Sequence, residues 1–366
     1  MRYYLIAGEA SGDLHGSNLI KALHEQDKHA DIRCWGGDRM EEAGATLVKH
    51  YRDLAFMGFV EVLGHLRTIM RNIDFCKKDI LAYKPDVLVL IDYPGFNMRI
   101  AEWAKRQGIR VAYYISPQVW AWKEGRVANL KRDVDKMLVI LPFEVDFYRK
   151  WNYDVTYVGH PLIEVVKEEK EKTEGLPISD KPIIALLPGS RAQEIKVKLP
   201  VMLQMVKHFP AYQFVIAQAQ AQPDSLYTDM IGKENVLLLK NQTYRLLTQS
   251  KAALVTSGTA TLEAALFGVP EVVCYKGSPV SYWLASKLIK VKYISLVNLI
   301  MDKPVVKELI QHELNEANLK AELEKVLNNG AYRKQLLEEY SVLWHKLGDT
   351  HASQTAAKEI ITLMAQ

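Results

Sequence analysis

The sequence has little cysteine and no long apolar run. Its three cysteines, Cys34, Cys76 and Cys274, are far apart and form no CxxC pair, so neither a disulfide framework nor a thiolate zinc site is indicated. No stretch of about 20 apolar residues is present, so no membrane-spanning helix is predicted. The first apolar run, Tyr3 to Ala7, is too short for a secretory signal and predicts a strand. We therefore expect a cytoplasmic protein whose membrane contact, if it has any, is peripheral.

A strong excess of one charge is also lacking, since the formal net charge of the 366 residues is only +4. This mild balance suits phosphorylated substrates or an anionic lipid surface, whereas a nucleic-acid partner would need a denser basic stripe. The histidines form no HExxH motif, and the DxD motif Asp133 to Asp135 precedes a strand, where solvated side chains are expected. No nucleic-acid partner, metal site or cofactor is predicted.

Short β-rich runs recur along the chain, and each is followed by a helical stretch. The runs cover residues 3–7, 32–35, 87–91, 110–115 and 137–141 in the first half, and 183–187, 213–217, 236–239, 252–256 and 271–275 in the second. This alternation is typical of parallel sheets covered by helices. The pattern weakens across Glu164 to Lys181, where we place a linker. The sequence therefore predicts an α/β fold with two doubly wound Rossmann-like domains.

Loops that directly follow strands are the first candidates for a site, because ligands bind at the carboxyl ends of parallel strands. The loop Gly8 to Gly16 has small residues that allow backbone amides to approach a ligand at a helix N-terminus, although Ser11 or Asp13 could simply cap that helix. The loop Asp92 to Asn97 begins with a carboxylate that can accept a proton from an attacking hydroxyl. Its alternative is an ordinary Asx turn before a proline.

Two loops of the second half have the composition of phosphate sites. Leu187 to Glu194 combines backbone donors with the guanidinium of Arg191, and its alternative is a plain turn with a solvated arginine. Thr256 to Ala264 opens a helix that can face a diphosphate, with Glu263 placed to accept hydrogen bonds from ribose hydroxyls. The alternative is that Thr259 caps this helix and the glutamate is an ordinary first-turn acid.

The segment from Phe56 to Phe75 mixes apolar residues with arginines. This pattern suits a helix at a membrane interface or against acyl chains, but taken alone it is more typical of a helix that faces a protein core.

Eight ordered motifs resemble the lipid-A-disaccharide synthase family, and the match runs from the first strand to about Glu308. The motifs are Ala7 to Asp13, Met57 to Leu63, Ile91 to Asn97, Ser116 to Trp122, Leu141 to Glu144, Val158 to Pro161, Leu187 to Arg191 and Ser257 to Ala260. So many motifs in the same order are hard to reach by accident.

The resemblance implies a GT-B glycosyltransferase with two doubly wound domains that face an interdomain cleft. It assigns residues 1–168 to an acceptor and membrane-side domain, 169–345 to a UDP-sugar-binding domain and 346–366 to a helix that crosses back to the first. The implied reaction moves 2,3-diacylglucosamine from UDP to 2,3-diacylglucosamine 1-phosphate with inversion, forming a β-1,6 linkage. It also implies a Gram-negative bacterium and contact with anionic lipid at the inner face of the inner membrane, and it leaves a homodimer open.

The resemblance also implies roles for individual residues. Asp92 is the implied general base for the acceptor hydroxyl. The implied UDP side consists of Gly189, Ser190, Arg191, Glu194, Ser257, Gly258, Thr259, Glu263 and Asn298. The implied acceptor and acyl side consists of Glu9, Ser11, Asp13, Met57, Phe59, Asn97 and Ser116. Many family members carry a second acid where this chain has Gly95, which weakens a two-carboxylate mechanism. The rival interpretations are a UDP-N-acetylglucosamine 2-epimerase, a peptidoglycan glycosyltransferase, and a membrane-binding module without turnover.

Overall fold

The computed structural model describes residues 1–54, 66–172, 176–220, 222–277, 291–348 and 351–365. Its contacts divide the chain into two compact units. Unit 1 comprises Met1–Pro161 and Asp349–Gln366, and unit 2 comprises Leu162–Gly348. Unit 2 thus begins at Leu162, before the predicted boundary at residue 168. It ends at Gly348, after the predicted boundary at residue 345. The candidates Met57 and Phe59, with the segment around them, lie outside the described residues.

Unit 1 is a parallel α/β sheet. Its strands are β1 (Arg2–Ala7), β2 (Asp31–Gly36), β3 (Thr46–His50), β4 (Val87–Ile91), β5 (Arg110–Tyr114), β6 (Lys136–Val139) and β7 (Thr156–Tyr157). Its helices are α1 (Ala10–Gln26), α2 (Asp38–Glu42), α3 (Leu66–Tyr83), α4 (Pro94–Arg106), α5 (Val119–Trp122), α6 (Val127–Asp133) and α7 (Pro142–Arg149). Short 3-10 turns cover Tyr51–Leu54 and Glu124–Arg126. Among the described strands the order is β3-β2-β1-β4-β5-β6-β7, and each neighbouring pair is parallel.

The central strands of unit 1 are apolar on both faces because helices cover both sides of the sheet. Alternate residues of β1 point to opposite faces, so that Tyr3 and Leu5 join one buried cluster while Tyr4 and Ile6 join the other. All four side chains are fully buried. The two clusters hold the carboxyl ends of β1 and β4 side by side, which positions the loops that follow them.

A final helix, α16 (Ala352–Met364), belongs to unit 1 and packs against α1. Its residues Ala356 and Ile360 are fully buried in the same cluster as Leu19 and Leu23 of α1. The Gln26 amide also donates to the Gln354 carbonyl at 2.9 Å. Residues far apart in the chain therefore complete one face of the unit 1 sheet.

Unit 2 repeats the scheme. Its strands are β8 (Ile183–Leu187), β9 (Gln213–Gln218), β10 (Val236–Lys240), β11 (Ser250–Val255), β12 (Glu271–Tyr275) and β13 (Lys307–Ile310). Its helices are α8 (Leu162–Glu171), α9 (Ala192–Leu203), α10 (Asp224–Ile231), α11 (Thr243–Thr248), α12 (Thr259–Leu266), α13 (Leu296–Met301), α14 (Glu316–Asn328) and α15 (Gly330–Leu347). Short 3-10 turns cover Val206–His208 and Gln311–Glu313. Among the described strands the order is β10-β9-β8-β11-β12-β13, again parallel throughout. Helix α8 packs on α11 and α12, which explains why unit 2 begins with it.

Each sheet has one point where the strand order reverses, between β1 and β4 in unit 1 and between β8 and β11 in unit 2. At such a point the loops leave neighbouring strands in opposite directions, which opens a crevice that binds ligands in doubly wound folds. The four candidate loops of the sequence follow these four strands. The predicted fold of two doubly wound α/β domains is confirmed, and the described strands β3, β7 and β13 add to those predicted.

Candidate functional site

The turn after β4 presents Asp92 in an unusual backbone conformation. Asp92 and Tyr93 both have positive φ, 45° and 50°, directly before the first residue of α4. Two consecutive non-glycine residues in the left-handed region are strained and persist only where their surroundings hold them. The Asp92 carbonyl accepts hydrogen bonds from the Tyr113 hydroxyl at 2.6 Å and from the Asn97 amide at 2.8 Å. These bonds fix the turn, and with it the direction of the carboxylate.

Asn97 connects the two strands at the reversal point. Its amide nitrogen also lies 3.3 Å from the Ile6 carbonyl and 3.2 Å from the Ile91 carbonyl, at the ends of β1 and β4. The side chain is fully buried. The structure therefore places Asn97, predicted to lie on the acceptor side, beneath the turn, where it can position Asp92.

The Asp92 carboxyl is half-buried, and its pKa is well above that of an ordinary aspartate. Burial, and then the negative charge of Glu9, raise its pKa to about 6, while a hydrogen bond from the Tyr93 amide acts in the opposite direction. A carboxyl with this pKa is ionised at pH 7 and is a stronger base than an ordinary aspartate. Such a group suits the removal of a proton from a sugar hydroxyl.

The loop after β1 meets the same turn. A Cβ atom added to Gly8 would lie 2.3 Å from the Tyr93 ring, so only glycine allows the two loops to approach this closely. Glu9 is the N-cap residue of α1 and makes no capping bond with its side chain, and Ser11 is exposed. The capping alternative for Ser11 or Asp13 is therefore wrong, and among the described residues no side chain caps the first turn of α1.

Asp13 performs a different structural task. Its carboxylate is 3% exposed and accepts hydrogen bonds from the backbone amides of Gly37, Met40 and Arg39 at 2.8, 3.1 and 3.3 Å. These amides belong to the start of α2 and to the residue before it. Asp13, which was expected to face the acceptor, thus caps the neighbouring helix α2. Both of its carboxylate oxygens accept hydrogen bonds inside unit 1.

Ser116 also lies in a buried network. Its hydroxyl donates to Glu144 at 2.9 Å and lies 2.8 Å from the Tyr148 hydroxyl, and all three side chains are buried. Glu144 also accepts the Leu141 amide at 2.9 Å at the start of its own helix α7, so its bond with Ser116 joins α7 to the loop after β5. The pKa of Glu144 is raised to about 7, because the effect of burial exceeds the opposing effect of its hydrogen bonds. The network holds the loop that begins at Ser116, predicted to lie on the acceptor side.

In unit 2, the loop after β8 carries a carboxylate over its glycine. Gly189 has a φ of 113°, and a Cβ atom there would lie 2.5 Å from Glu194 Oε2. The other oxygen of Glu194 is 3.2 Å from Nη1 of Arg191, whose side chain is 60% exposed. The Ser190 carbonyl accepts a bond from the Gln222 amide at 3.0 Å. The structure thus brings all four predicted residues of this loop together, with one guanidinium facing solvent.

The loop after β11 leaves a helix start uncapped. Gly258, with a φ of 100°, is the N-cap residue of α12, and no side chain of the described residues caps this helix. Thr259 is exposed and is not the cap, so the capping alternative for it is wrong, while Ser257 is half-buried. First-turn amides that no described side chain caps, together with the positive end of a helix dipole, favour a phosphate oxygen.

Glu263 lies one turn into α12 and is half-buried. Burial raises the pKa of its carboxyl, and a hydrogen bond from the Tyr244 hydroxyl at 3.1 Å lowers it. Its second oxygen receives no hydrogen bond from any described residue, which leaves it available to a ligand hydroxyl.

Asn298 is bound within unit 2. Its amide nitrogen donates to the Val306 carbonyl at 2.9 Å and to Glu308 at 3.0 Å, while its amide oxygen accepts the Val306 amide at 2.9 Å. Glu308 also accepts the amides of Ile294 and Ser295, at 3.1 Å and 2.9 Å. Asn298, predicted to lie near the nucleotide, is 1% exposed and supports the segment before α13.

The DxD motif lies inside the fold. Asp133 is 5% exposed and bonds to Arg132 at 2.7 Å, and Asp135 accepts the Lys105 ammonium at 2.5 Å and the Val111 amide at 2.9 Å. The prediction that these two aspartates are solvated is therefore wrong. Over the described ranges, no group of three or more His, Cys, Asp or Glu side chains is arranged to hold a metal ion.

Sequence reasoning missed Lys198 and Tyr113, and it named Glu144 only as the end of the motif Leu141 to Glu144. All three lie beneath the loops rather than in them. For Lys198 a signal was present: Ile195, Leu199 and Met202 form the buried stripe of α9, and the lysine falls in the same stripe. A lysine in an apolar stripe indicates a buried cation. The other two residues are brought to the loops only by tertiary packing.

Comparison with solved structures supports the fold. The chain resembles a glycosyltransferase of kitacinnamycin with a TM-score of 0.69 at 14% identity, covering 99% of each chain. It also resembles a UDP-GlcNAc 2-epimerase from Neisseria meningitidis, solved with UDP-GlcNAc, with a TM-score of 0.64 at 15% identity over the full length of both. At this identity the likeness shows the fold alone, which is the GT-B fold.

Sequence relatives are much closer. A family model described as lipid-A-disaccharide synthetase matches residues 3–360. The lipid-A-disaccharide synthase of Syntrophus aciditrophicus is 41% identical, with 98% of this chain and 97% of the relative covered. That of Coxiella burnetii is 38% identical, with 98% of each covered. This chain therefore belongs to the lipid-A-disaccharide synthase family and is a glycosyltransferase of lipid A biosynthesis.

Proposed function

We propose that this protein transfers 2,3-diacylglucosamine from UDP to 2,3-diacylglucosamine 1-phosphate with inversion. Asp92 takes the proton of the acceptor 6-hydroxyl, and the hydroxyl oxygen forms a bond to C1 of the donor sugar. The bond between C1 and the phosphate oxygen breaks, and its electron pair leaves with UDP. Family membership supports the substrate class, and the Asp92 turn is the observation that carries the mechanism.

The base has the properties that this step requires. Its pKa of about 6 leaves it ionised at neutral pH, and its strained backbone is fixed by Tyr113 and Asn97. Gly95, where many relatives carry an acid, is exposed, and an added Cβ there would meet nothing within 4 Å. Proton removal at this turn is therefore assigned to Asp92.

Unit 2 supplies groups suited to the nucleotide. We assign the diphosphate to the open start of α12 and to Arg191, and the ribose hydroxyls to the second oxygen of Glu263. In the structure Arg191 contacts Glu194 through Nη1 alone, so its remaining N–H groups can bind a phosphate, with or without loss of that contact. Carboxylate and phosphate both offer anionic oxygens to the guanidinium, so an exchange of one for the other is chemically simple.

The function is tested by measuring UDP release from UDP-2,3-diacylglucosamine with and without 2,3-diacylglucosamine 1-phosphate. We expect release that depends on the acceptor and yields the disaccharide 1-phosphate. Release without acceptor would identify a hydrolase. Conversion of UDP-N-acetylglucosamine alone would identify an epimerase, and nucleotide binding without any turnover would identify a binding module. Each of these three results would contradict the proposal.

We also propose that α3 contacts an anionic membrane surface. Its inner face carries Ile73 and Ile80, which are fully or nearly fully buried, and its outer face exposes Met70 (52%) and the basic residues Arg67 and Arg71. Exposed apolar and basic side chains on one helix are typical of peripheral membrane binding. No helix within the described ranges is long and apolar enough to cross a membrane.

Met70→Glu is expected to weaken binding to vesicles that contain anionic phospholipid by about tenfold, because it removes apolar burial and adds a repelled charge. Co-sedimentation measures this effect. Val342→Glu is the matched control, since Val342 lies in unit 2 and is similarly exposed, at 53%. Equal binding by the Met70 variant and the wild type, with both folded, would exclude this surface.

A further inference from the structure

Lys198 is a buried lysine in α9 of unit 2. Its side chain is 2% exposed, and its ammonium donates to the Thr256 hydroxyl and lies 5.6 Å from the centroid of the Tyr275 ring. No carboxylate of the described residues lies within ion-pair distance of it. Removing an ammonium from water costs several kcal/mol unless an anion or a full set of acceptors compensates. One hydroxyl and one ring leave that compensation incomplete.

The ammonium lies at the reversal point of the unit 2 sheet. Thr256 directly follows β11, and Tyr275 is the last residue of β12. The Thr256 amide donates to the Leu187 carbonyl at 2.9 Å, at the end of β8. The cation is therefore held between the starts of the loops that contain Gly189 and Gly258. The Gly258 loop has the uncapped helix start described above, and the Gly189 loop presents the Arg191 guanidinium to solvent.

The neighbouring charges leave Lys198 as a source of positive potential. Burial is the main cause that lowers its pKa, and Arg191 acts in the same direction, whereas Glu194 and Cys274 oppose this change. That carboxylate is already bound to Arg191. Because the ammonium donates to Thr256 Oγ1, the hydroxyl hydrogen of Thr256 is directed away from it, and no described residue accepts that hydrogen. A polarised hydroxyl donor thus stands next to Ser257.

We propose that Lys198, acting through Thr256, supplies the fixed positive charge that holds the donor diphosphate and stabilises the negative charge on UDP as it leaves. Lys198 is a positioning residue, since the threonine hydroxyl stands between it and the loop. Preorganised charge of this kind acts on the transition state without reorganisation. The inference rests on the proposed function and assigns a task to a residue outside the predicted site.

The test uses Lys198→Met in the full chain, because methionine has a similar shape and no charge. UDP binding is measured by calorimetry, and acceptor-dependent UDP release is measured beside it. We expect the Kd for UDP to rise about 10- to 100-fold and kcat to fall as well, as for the loss of a hydrogen bond to a charged group. Lys196→Met is the matched control, because Lys196 is exposed on the same helix and its loss changes the net charge equally.

Stability separates this function from a purely structural one. Removing an incompletely paired buried charge is expected to leave the Tm unchanged or to raise it, while UDP binding weakens. UDP affinity of the wild type should also decrease at alkaline pH, below the range where ordinary lysines lose their proton, and this decrease should be absent in Lys198→Met. A folded Lys198→Met protein that binds UDP as tightly as the wild type would overturn the inference.

Two further measurements keep the outcomes distinct. Thr256→Val removes the hydroxyl at nearly constant shape and should weaken UDP binding, whereas Thr256→Ser retains the hydroxyl and should bind normally. If Lys198→Met does not fold, these two threonine variants test the proposal alone. Equal UDP affinity of Thr256→Val and Thr256→Ser would overturn it. Inorganic pyrophosphate is the second probe. If the wild type lacks acceptor-dependent release but binds pyrophosphate, and Lys198→Met does not, the proposed function fails while the anion site remains.

Discussion

Asp92→Asn is expected to lower kcat/KM for acceptor-dependent UDP release by about 10²- to 10⁴-fold, the usual contribution of a general base. Asparagine has nearly the same shape and tolerates a positive φ, so the strained turn should persist. UDP binding should be unchanged, because the nucleotide is assigned to unit 2. Asp154→Asn, at an exposed position of unit 1, serves as the control and should keep full activity.

The pH profile tests the same assignment. Asp92 must be ionised to accept a proton, so activity should increase as the pH rises through about 6 and should be lost below it. Glu9 is a cause of the raised pKa, and Glu9→Gln should therefore shift this acid limb to lower pH. A wild-type level of activity in Asp92→Asn, or an acid limb that does not respond to Glu9→Gln, would remove Asp92 from the role of base.

Arg191→Gln is expected to raise the Kd for UDP about 10- to 100-fold, because charge-assisted hydrogen bonds to phosphate contribute about 1.5–3 kcal/mol. Calorimetry with UDP measures this effect. The side chain is 60% exposed and its contact with Glu194 is a surface pair, so the substitution should change the Tm little. Lys233→Gln removes an exposed positive charge elsewhere in unit 2 and provides the control. Unchanged affinity in Arg191→Gln would move the diphosphate away from this loop.

Most of the fold could be predicted because its central strands are continuous apolar runs. The predicted limits of Val87–Ile91 and Ile183–Leu187 agree with β4 and β8, which are buried on both faces. The described strands missed were β3, β7 and β13, which lie at sheet edges. These three strands lack the apolar run that reveals a central strand, whereas the fourth edge strand, β10, has one in Val236 to Leu239 and was predicted. The Thr156–Tyr157 strand has only two residues and no detectable pattern.

The candidate site was predictable to the level of loops and not to the level of individual contacts. A strand followed by small residues or by an acid can be read from the sequence, and all four loops found in this way follow strands at reversal points. The partners of a side chain cannot be read in the same way. Asp13 caps α2, whose first residue lies 25 positions further along the chain, as Asp38. The amide of Asn298 likewise donates hydrogen bonds to Val306 and Glu308, which lie after the end of its own helix.

The position of α16 in unit 1 has a consequence for biosynthesis. Unit 2 is one continuous stretch of chain, whereas the core of unit 1 includes Ala356 and Ile360, which leave the ribosome after all of unit 2 has been made. Domains usually fold in the order of their synthesis. The synthesis of unit 1 therefore begins before that of unit 2 and ends after it. Until then Leu19 and Leu23 of α1 lack the contacts that α16 supplies. We therefore expect the nascent chain to expose apolar surface during that interval, as partly folded chains that need chaperones do.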